Sequence, residues 1–256
     1  MLTPSSSPLR AAQRSYRADG IVLGAILGFI ALALLLPAIA QDPKYHLFAD
    51  QRSWFGVPRA ADVFSNLAFV AVGLFGAIAL LLPRSAHLRK ATAMSLWCVA
   101  VGYALTGAGS AWYHLHPNDA TLVWDRLPMT LVLTGVISAA IAERVGDNLA
   151  IGSLVVLSVG GVASVVYWGS SGNLTPYAVF QFGGVAFLVG LLAVTRARGI
   201  PFAWSWIVGW YCFAKVAELA DRSVWEATSG VVAGHTIKHL AAGVAGMAMF
   251  YPLRNR

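Results

Sequence analysis

Two histidines four residues apart, His235 and His239, stand in the stretch AGHTIKHLAAGVAG at the front of the last apolar segment. A spacing of four puts both rings on one face of a helix. A third imidazole is on offer in GSAWYHLHP, at the end of another apolar segment, from His114 or from His116 two residues on. His114 shares a helical face with Ser110, four residues earlier, whereas His116 points off that face. Three imidazole nitrogens around one ion leave a fourth position for water, the arrangement of catalytic rather than structural zinc. Zinc lowers the pKa of its bound water to about 7, and a nearby carboxylate can orient or deprotonate that water. Asp125, in WDRLPM, is the carboxylate the sequence offers, and Ser110 can donate a hydrogen bond to a developing oxyanion.

Other polar residues fall at the same ends of their segments. DVFSN supplies Asp62, Ser65 and Asn66, and the seventh apolar segment ends in Glu218 and Asp221. These five are expected to line a cavity or to orient the metal ligands. Lys238 is expected to snorkel to the interface, and Lys215 to pair with Glu218 or Asp221. His46 and His87 read as ordinary interfacial residues, and most of the nine Trp and eight Tyr as belt residues at the membrane surface.

Groups in so apolar a setting need a scaffold that holds them. Of the 256 residues, 58% are hydrophobic and 11% charged, and mean hydropathy is +0.68. A soluble domain carries about a quarter charged residues, so the deficit indicates an all-α polytopic membrane protein. About 20 apolar residues span a bilayer. On that basis the segments are Ile21–Ala40, Asp62–Leu82, Ala91–Tyr113, Leu127–Glu143, Leu149–Trp168, Pro176–Thr195, Ala203–Leu219 and Gly234–Tyr251. The charged, aromatic linker from Gln41 to Ala61 is expected at the interface. AIAQ at Ala38–Gln41 has the form of a signal-peptidase site, but the apolar run before it is longer than a usual signal sequence. The reading keeps it as an extra N-terminal transmembrane helix.

Charge gives the orientation. Arg10, Arg14, Arg17, Arg84, Arg89, Lys90, Arg144, Arg196, Arg198, Arg254 and Arg256 fall on one side of eight spans, against Lys44, Arg52, Arg59, Arg126 and Arg222 on the other. The richer side is cytoplasmic. Both termini are therefore expected in the cytoplasm, with the polar cluster toward the extracytoplasmic face of a bacterial inner membrane. The net charge of +7 reports this topology rather than a nucleic-acid stripe. Cys98 and Cys212 lie within apolar segments, which excludes a disulfide framework or a cysteine zinc site.

In this order and spacing, SN at Ser65–Asn66, Ser110-x3-His114, Asp125 eleven residues later in WDRLPM, and HTIKH at His235–His239 resemble the alkaline ceramidase family. That family belongs to a wider membrane hydrolase superfamily that includes the adiponectin-type receptors. The resemblance runs from about Tyr45 to Tyr251. It implies a seven-helix core bundle at residues 45–256, with residues 1–44 forming a cytoplasmic tail and the extra helix. It also implies one zinc ion held by His114, His235 and His239, and hydrolysis of the amide of ceramide to a sphingoid base and a fatty acid. Asp125 would act on the zinc water and Ser110 would support the oxyanion. Animal members carry an acidic calcium-binding stretch before the SN motif. Here Arg59, six residues before Ser65, takes the place of one such carboxylate, and Asp50 and Asp62 do not restore the pattern, so calcium is not expected. The expected substrate is a membrane lipid, ceramide or another N-acyl lipid, and no nucleic-acid partner is expected.

Two other classes fit parts of the pattern. A receptor or sensor could keep the zinc with little turnover, but about twenty residues before the first segment and five after Tyr251 give it no signalling domain. A transporter or retinal-type pigment could use Lys238 for a Schiff base, which leaves the flanking histidines unexplained.

Overall fold

The computed structural model describes residues 8–197 and 201–253. Arg198, Arg254, Arg256 and residues 1–7 lie outside the described residues, as do the side chains of Arg10, Arg14, Arg17 and Arg84. The described chain is helical without strands. Its elements are α1 (Pro8–Leu35), α2 (Ala60–Ser65), α3 (Leu67–Leu81), α4 (Lys90–Leu115), α5 (Asp119–Arg144), α6 (Asp147–Ser171), α7 (Thr175–Ala178), α8 (Gly184–Val194), α9 (Trp204–Leu219), α10 (Asp221–Ala227) and α11 (Gly234–Phe250). A π-helical turn, Val179–Gly183, joins α7 to α8.

Among the described residues, five helical stretches are long and apolar enough to cross a membrane: Ala60–Leu81, Lys90–Leu115, Asp119–Arg144, Asp147–Ser171 and Thr175–Val194. The expected spans at α9 and α11 are helical but reach only 16 and 17 residues. The first is helical only to Leu35, residues 36–40 lying outside any helix. Leu74, Ile78, Val155, Val159 and Val166 stand exposed on the outer faces, a distribution that suits lipid rather than water.

Two boundaries differ from expectation in ways that matter. The second segment is broken: α2 stops at Ser65, and the Asn66 side chain donates to the Asp62 carbonyl at 2.8 Å, so an amide replaces the missing helical bond. The fourth begins at Asp119, eight residues before Leu127, because Asn118 and Thr121 form a reciprocal cap. Arg126, counted above as a loop charge, is consequently two turns inside α5 and only 6% exposed.

The bundle packs mainly as α4 on α5, α3 on α4, α5 on α6 and α9 on α11. Pro128, inside α5, has no N–H to give the Trp124 carbonyl four residues back. Gly109 of α4 lies directly against that freed carbonyl, where a β-carbon would collide with it. Gly234 meets the Ala217 carbonyl and the Asp221 backbone in the same way. These two glycines let α4 approach α5, and α11 approach α9, at the level where the polar side chains gather.

Candidate metal centre

His114 comes from the last turn of α4, and His235 and His239 from the first two turns of α11. Their candidate ligand atoms all lie within 4.8 Å of one another. Ring centroids are 4.8 Å apart for His114–His235, 5.0 Å for His114–His239 and 4.8 Å for His235–His239. All three rings are buried. Phe48 covers two of them, with centroids 4.6 Å from His114 and 4.7 Å from His235, and Phe69 flanks His239 at 5.3 Å. His116 is not part of the group: it follows the end of α4 and rests edge-on against Trp112 at 4.9 Å.

A metal ion fits these residues on one observation above the rest. Both ring nitrogens of His114 are buried and neither has a hydrogen-bond partner. Buried polar atoms are rarely left so, because each unmet one costs about 1–3 kcal/mol. A lone pair directed at an ion removes part of that cost. Three neutral nitrogen donors suit a transition-series ion or zinc, whereas calcium and magnesium require oxygen.

Neighbouring side chains fix the ligands. The Ser65 hydroxyl donates to the Asp62 carbonyl at 3.0 Å and lies 2.7 Å from Nδ1 of His239. With its proton so engaged, Ser65 accepts from Nδ1–H, which leaves Nε2 of His239 as the free donor atom. Asp62 accepts from the Thr236 hydroxyl at 2.7 Å, a second tie between α2 and the first turn of α11. Asp221 accepts from the His235 backbone N–H at 2.8 Å and, through its other oxygen, from the Ala49 N–H at 2.9 Å. The carboxylate thereby caps α11, where an anion is favoured, and anchors the segment that carries Phe48.

Asp125 is buried on α5, and Ser110 lies beside it on α4. Glu218 is the hub of a partly buried ionic cluster. Lys238 Nζ is 2.7 Å from its Oε1, Lys215 pairs with its Oε2, and the Tyr45 hydroxyl donates to Oε1 at 3.1 Å. Lys238 thus turns inward rather than snorkelling, and its Nζ lies 3.4 Å from Nε2 of His235. Among the expected belt residues, Trp168, Trp204, Tyr103, Tyr113 and Tyr177 are buried instead. His46 joins the buried Tyr113 hydroxyl, 2.9 Å away, to the exposed Asp119 at 3.1 Å.

All the residues singled out from sequence, Ser65, Asn66, Asp62, Ser110, His114, Asp125, Glu218, Asp221, His235 and His239, therefore fall in or around one buried cluster. Four contributors were missed. Arg59 donates to the carbonyls of His114 at 2.6 Å and Leu115 at 2.8 Å, holding the end of α4. Phe48, Tyr45 and Thr236 were likewise unremarked, and nothing in their local sequence marks them. Asp50, by contrast, is saturated by Arg52, whose Nη2 lies 2.6 Å from Oδ2.

Compared with protein-family models, curated proteins and solved structures, the chain matches none of them. The functional reading rests on the site itself.

Proposed function

We propose that the protein is a zinc-dependent hydrolase of lipid amides, ceramidase-like, with eight membrane spans and its site near the extracytoplasmic surface. The observation that carries the reading is the buried, unpartnered His114 ring within ligand reach of His235 and His239, beside Asp125 and Ser110. Zinc, when bound, supplies a Lewis acid and a water that ionises near pH 7. Hydrolysis breaks the amide C–N bond, placing the water's OH on the carbonyl carbon and its proton on the departing amine. On this reading Asp125 accepts that proton and returns it, and the Ser110 hydroxyl donates to the carbonyl oxygen as it gains charge.

An apolar cavity of about 140 Å³ supports a lipid substrate. Phe69, Thr106 and Ala242 line it, and these sit next to the cluster: Phe69 touches His239, Thr106 is one turn from Ser110, and Ala242 follows His239. An acyl chain entering this space leaves its amide at the polar end. Ceramide has the required form, as do other N-acyl lipids.

Mass spectrometry of lipids incubated with purified protein tests the reading. Zinc-loaded wild type should release fatty acid and amine from an N-acyl lipid. Asp125→Asn should slow release by about 10²- to 10⁴-fold, and His239→Ala should abolish it. Unaltered lipids with zinc-loaded wild type, across ceramides and other N-acyl lipids, would overturn it.

A further inference from the structure

Next to Asp125 on α5, Arg126 is a buried cation whose needs the protein does not meet. Its guanidinium is enclosed by three rings, with its carbon 4.3 Å from the centroid of Trp168, 4.9 Å from Tyr177 and 5.4 Å from Tyr45. Nη2 donates to the Gln41 side-chain oxygen at 2.7 Å. Nη1 is buried and has no partner. Among the described residues no carboxylate lies within ion-pair distance of Arg126.

The aromatic enclosure offsets part of the charge, since a desolvated cation–π contact is favourable. It gives Nη1 no oxygen or nitrogen acceptor, and an N–H contact with a ring face is weaker than a hydrogen bond to such an acceptor. The nearby carboxylates are committed elsewhere: Glu218 already accepts from Lys215, Lys238 and Tyr45. Lys215 and Lys238, both partly exposed, are thus balanced by Glu218, while the buried Arg126 has only its neighbour Asp125, with which it makes no ion pair. Buried charge this poorly balanced is costly unless a ligand balances it.

We propose that Arg126 forms an anion-binding subsite for the polar end of the substrate, taking a carboxylate or phosphate oxygen on Nη1. This rests on the lipid-amidase reading and narrows it to N-acyl lipids with an anionic headgroup. Position supports the assignment. Tyr45, whose ring lies 5.4 Å from the Arg126 guanidinium carbon, donates to Glu218. Lys238, the partner of Glu218, comes within 3.4 Å of Nε2 of His235, so a short chain of contacts joins the guanidinium to the histidines. Tyr177, one of the rings around Arg126, also lines the apolar cavity, as does Thr130 one turn further along α5. An acyl tail in that cavity therefore has the guanidinium near its polar end.

The test uses full-length protein in phosphatidylcholine nanodiscs, both zinc-loaded and stripped by chelation, with N-palmitoylglycine and its methyl ester as probes. These differ only in the headgroup charge. Wild type should bind the acid roughly tenfold or more tighter than the ester in both metal states, because hydrogen bonds to charged groups are the strong ones. Arg126→Gln should lose the preference while keeping its affinity for the ester. Arg126→Lys, which keeps the charge without the planar fork, should retain part of it, and carries the comparison if the glutamine variant does not fold. Equal affinities for acid and ester in wild type, or an undiminished preference in Arg126→Gln, would overturn the subsite. Palmitate competing as strongly as N-palmitoylglycine would overturn the headgroup assignment in favour of the released acid. A preference without hydrolysis of either probe would sink the amidase reading and leave the subsite standing; hydrolysis without preference would do the reverse.

Discussion

Arg59, at the start of α2, donates to the carbonyl of His114, at the end of α4, across 2.6 Å. The same guanidinium reaches the Leu115 carbonyl at 2.8 Å, so one side chain caps the helix whose last turn carries a metal-ligand candidate. Its backbone adopts φ +46°, a left-handed conformation that a non-glycine residue holds at some cost. The fold holds Arg59 in that conformation, and the cation complements the negative end of the α4 dipole.

Arg59→Ala should therefore lower stability by about 1–3 kcal/mol and loosen the site. Thermal unfolding with and without zinc measures both effects: the midpoint should fall, and the stabilisation by zinc should shrink. Arg59→Lys should recover only part, since an ammonium lacks the fork that reaches two carbonyls. An unchanged zinc response in Arg59→Ala would separate this contact from the metal centre.

Ser65→Ala removes the acceptor that orients His239. The expected result is a zinc affinity about 10- to 100-fold weaker, read by competition with a chelator of known affinity, with little change in the metal-free unfolding midpoint. Equal affinity would mean that the 2.7 Å contact has no part in fixing the ring.

Glu218→Gln leaves the partly buried Lys215 and Lys238 without their shared counter-ion. Removing the shared partner of a partly buried ionic group costs about 1–3 kcal/mol, less than for a fully buried one. Chemical denaturation in detergent should show a loss of that order, and the double variant Glu218→Gln, Lys238→Met should regain part of it. A stable single variant would show that the cluster is wetter than its burial suggests.

Much of this was legible in the sequence, for a physical reason. Placing His, Asp and Ser within apolar segments is expensive, so their positions carry information, and the i, i+4 spacing of His235 and His239 fixes their common face. The gathering of Asp62, Ser65, Ser110, Asp125, Glu218 and Asp221 at one level followed from counting spans. What escaped was decided by tertiary contact. Lys238 seemed free to reach water, yet Glu218 on the neighbouring α9 holds it inward. Arg126 passed for a loop charge because the Asn118–Thr121 cap, which starts α5 early, was not recognised. Arg59 and Phe48 belong to the connection from Gln41 to Ala61, a loop whose path no periodicity specifies, and that loop closes over the histidines.

The central claim is that His114, His235 and His239 hold one ion between them, and metal content per folded chain tests it most directly. Elemental analysis of protein purified without added metal, then equilibrated with zinc and freed of excess, should give about one zinc per chain in wild type and in His116→Ala. His114→Ala and His239→Ala, still folded by thermal unfolding, should retain only a small fraction of that. Undiminished zinc in folded His114→Ala, or no zinc in well-folded wild type, would contradict the account.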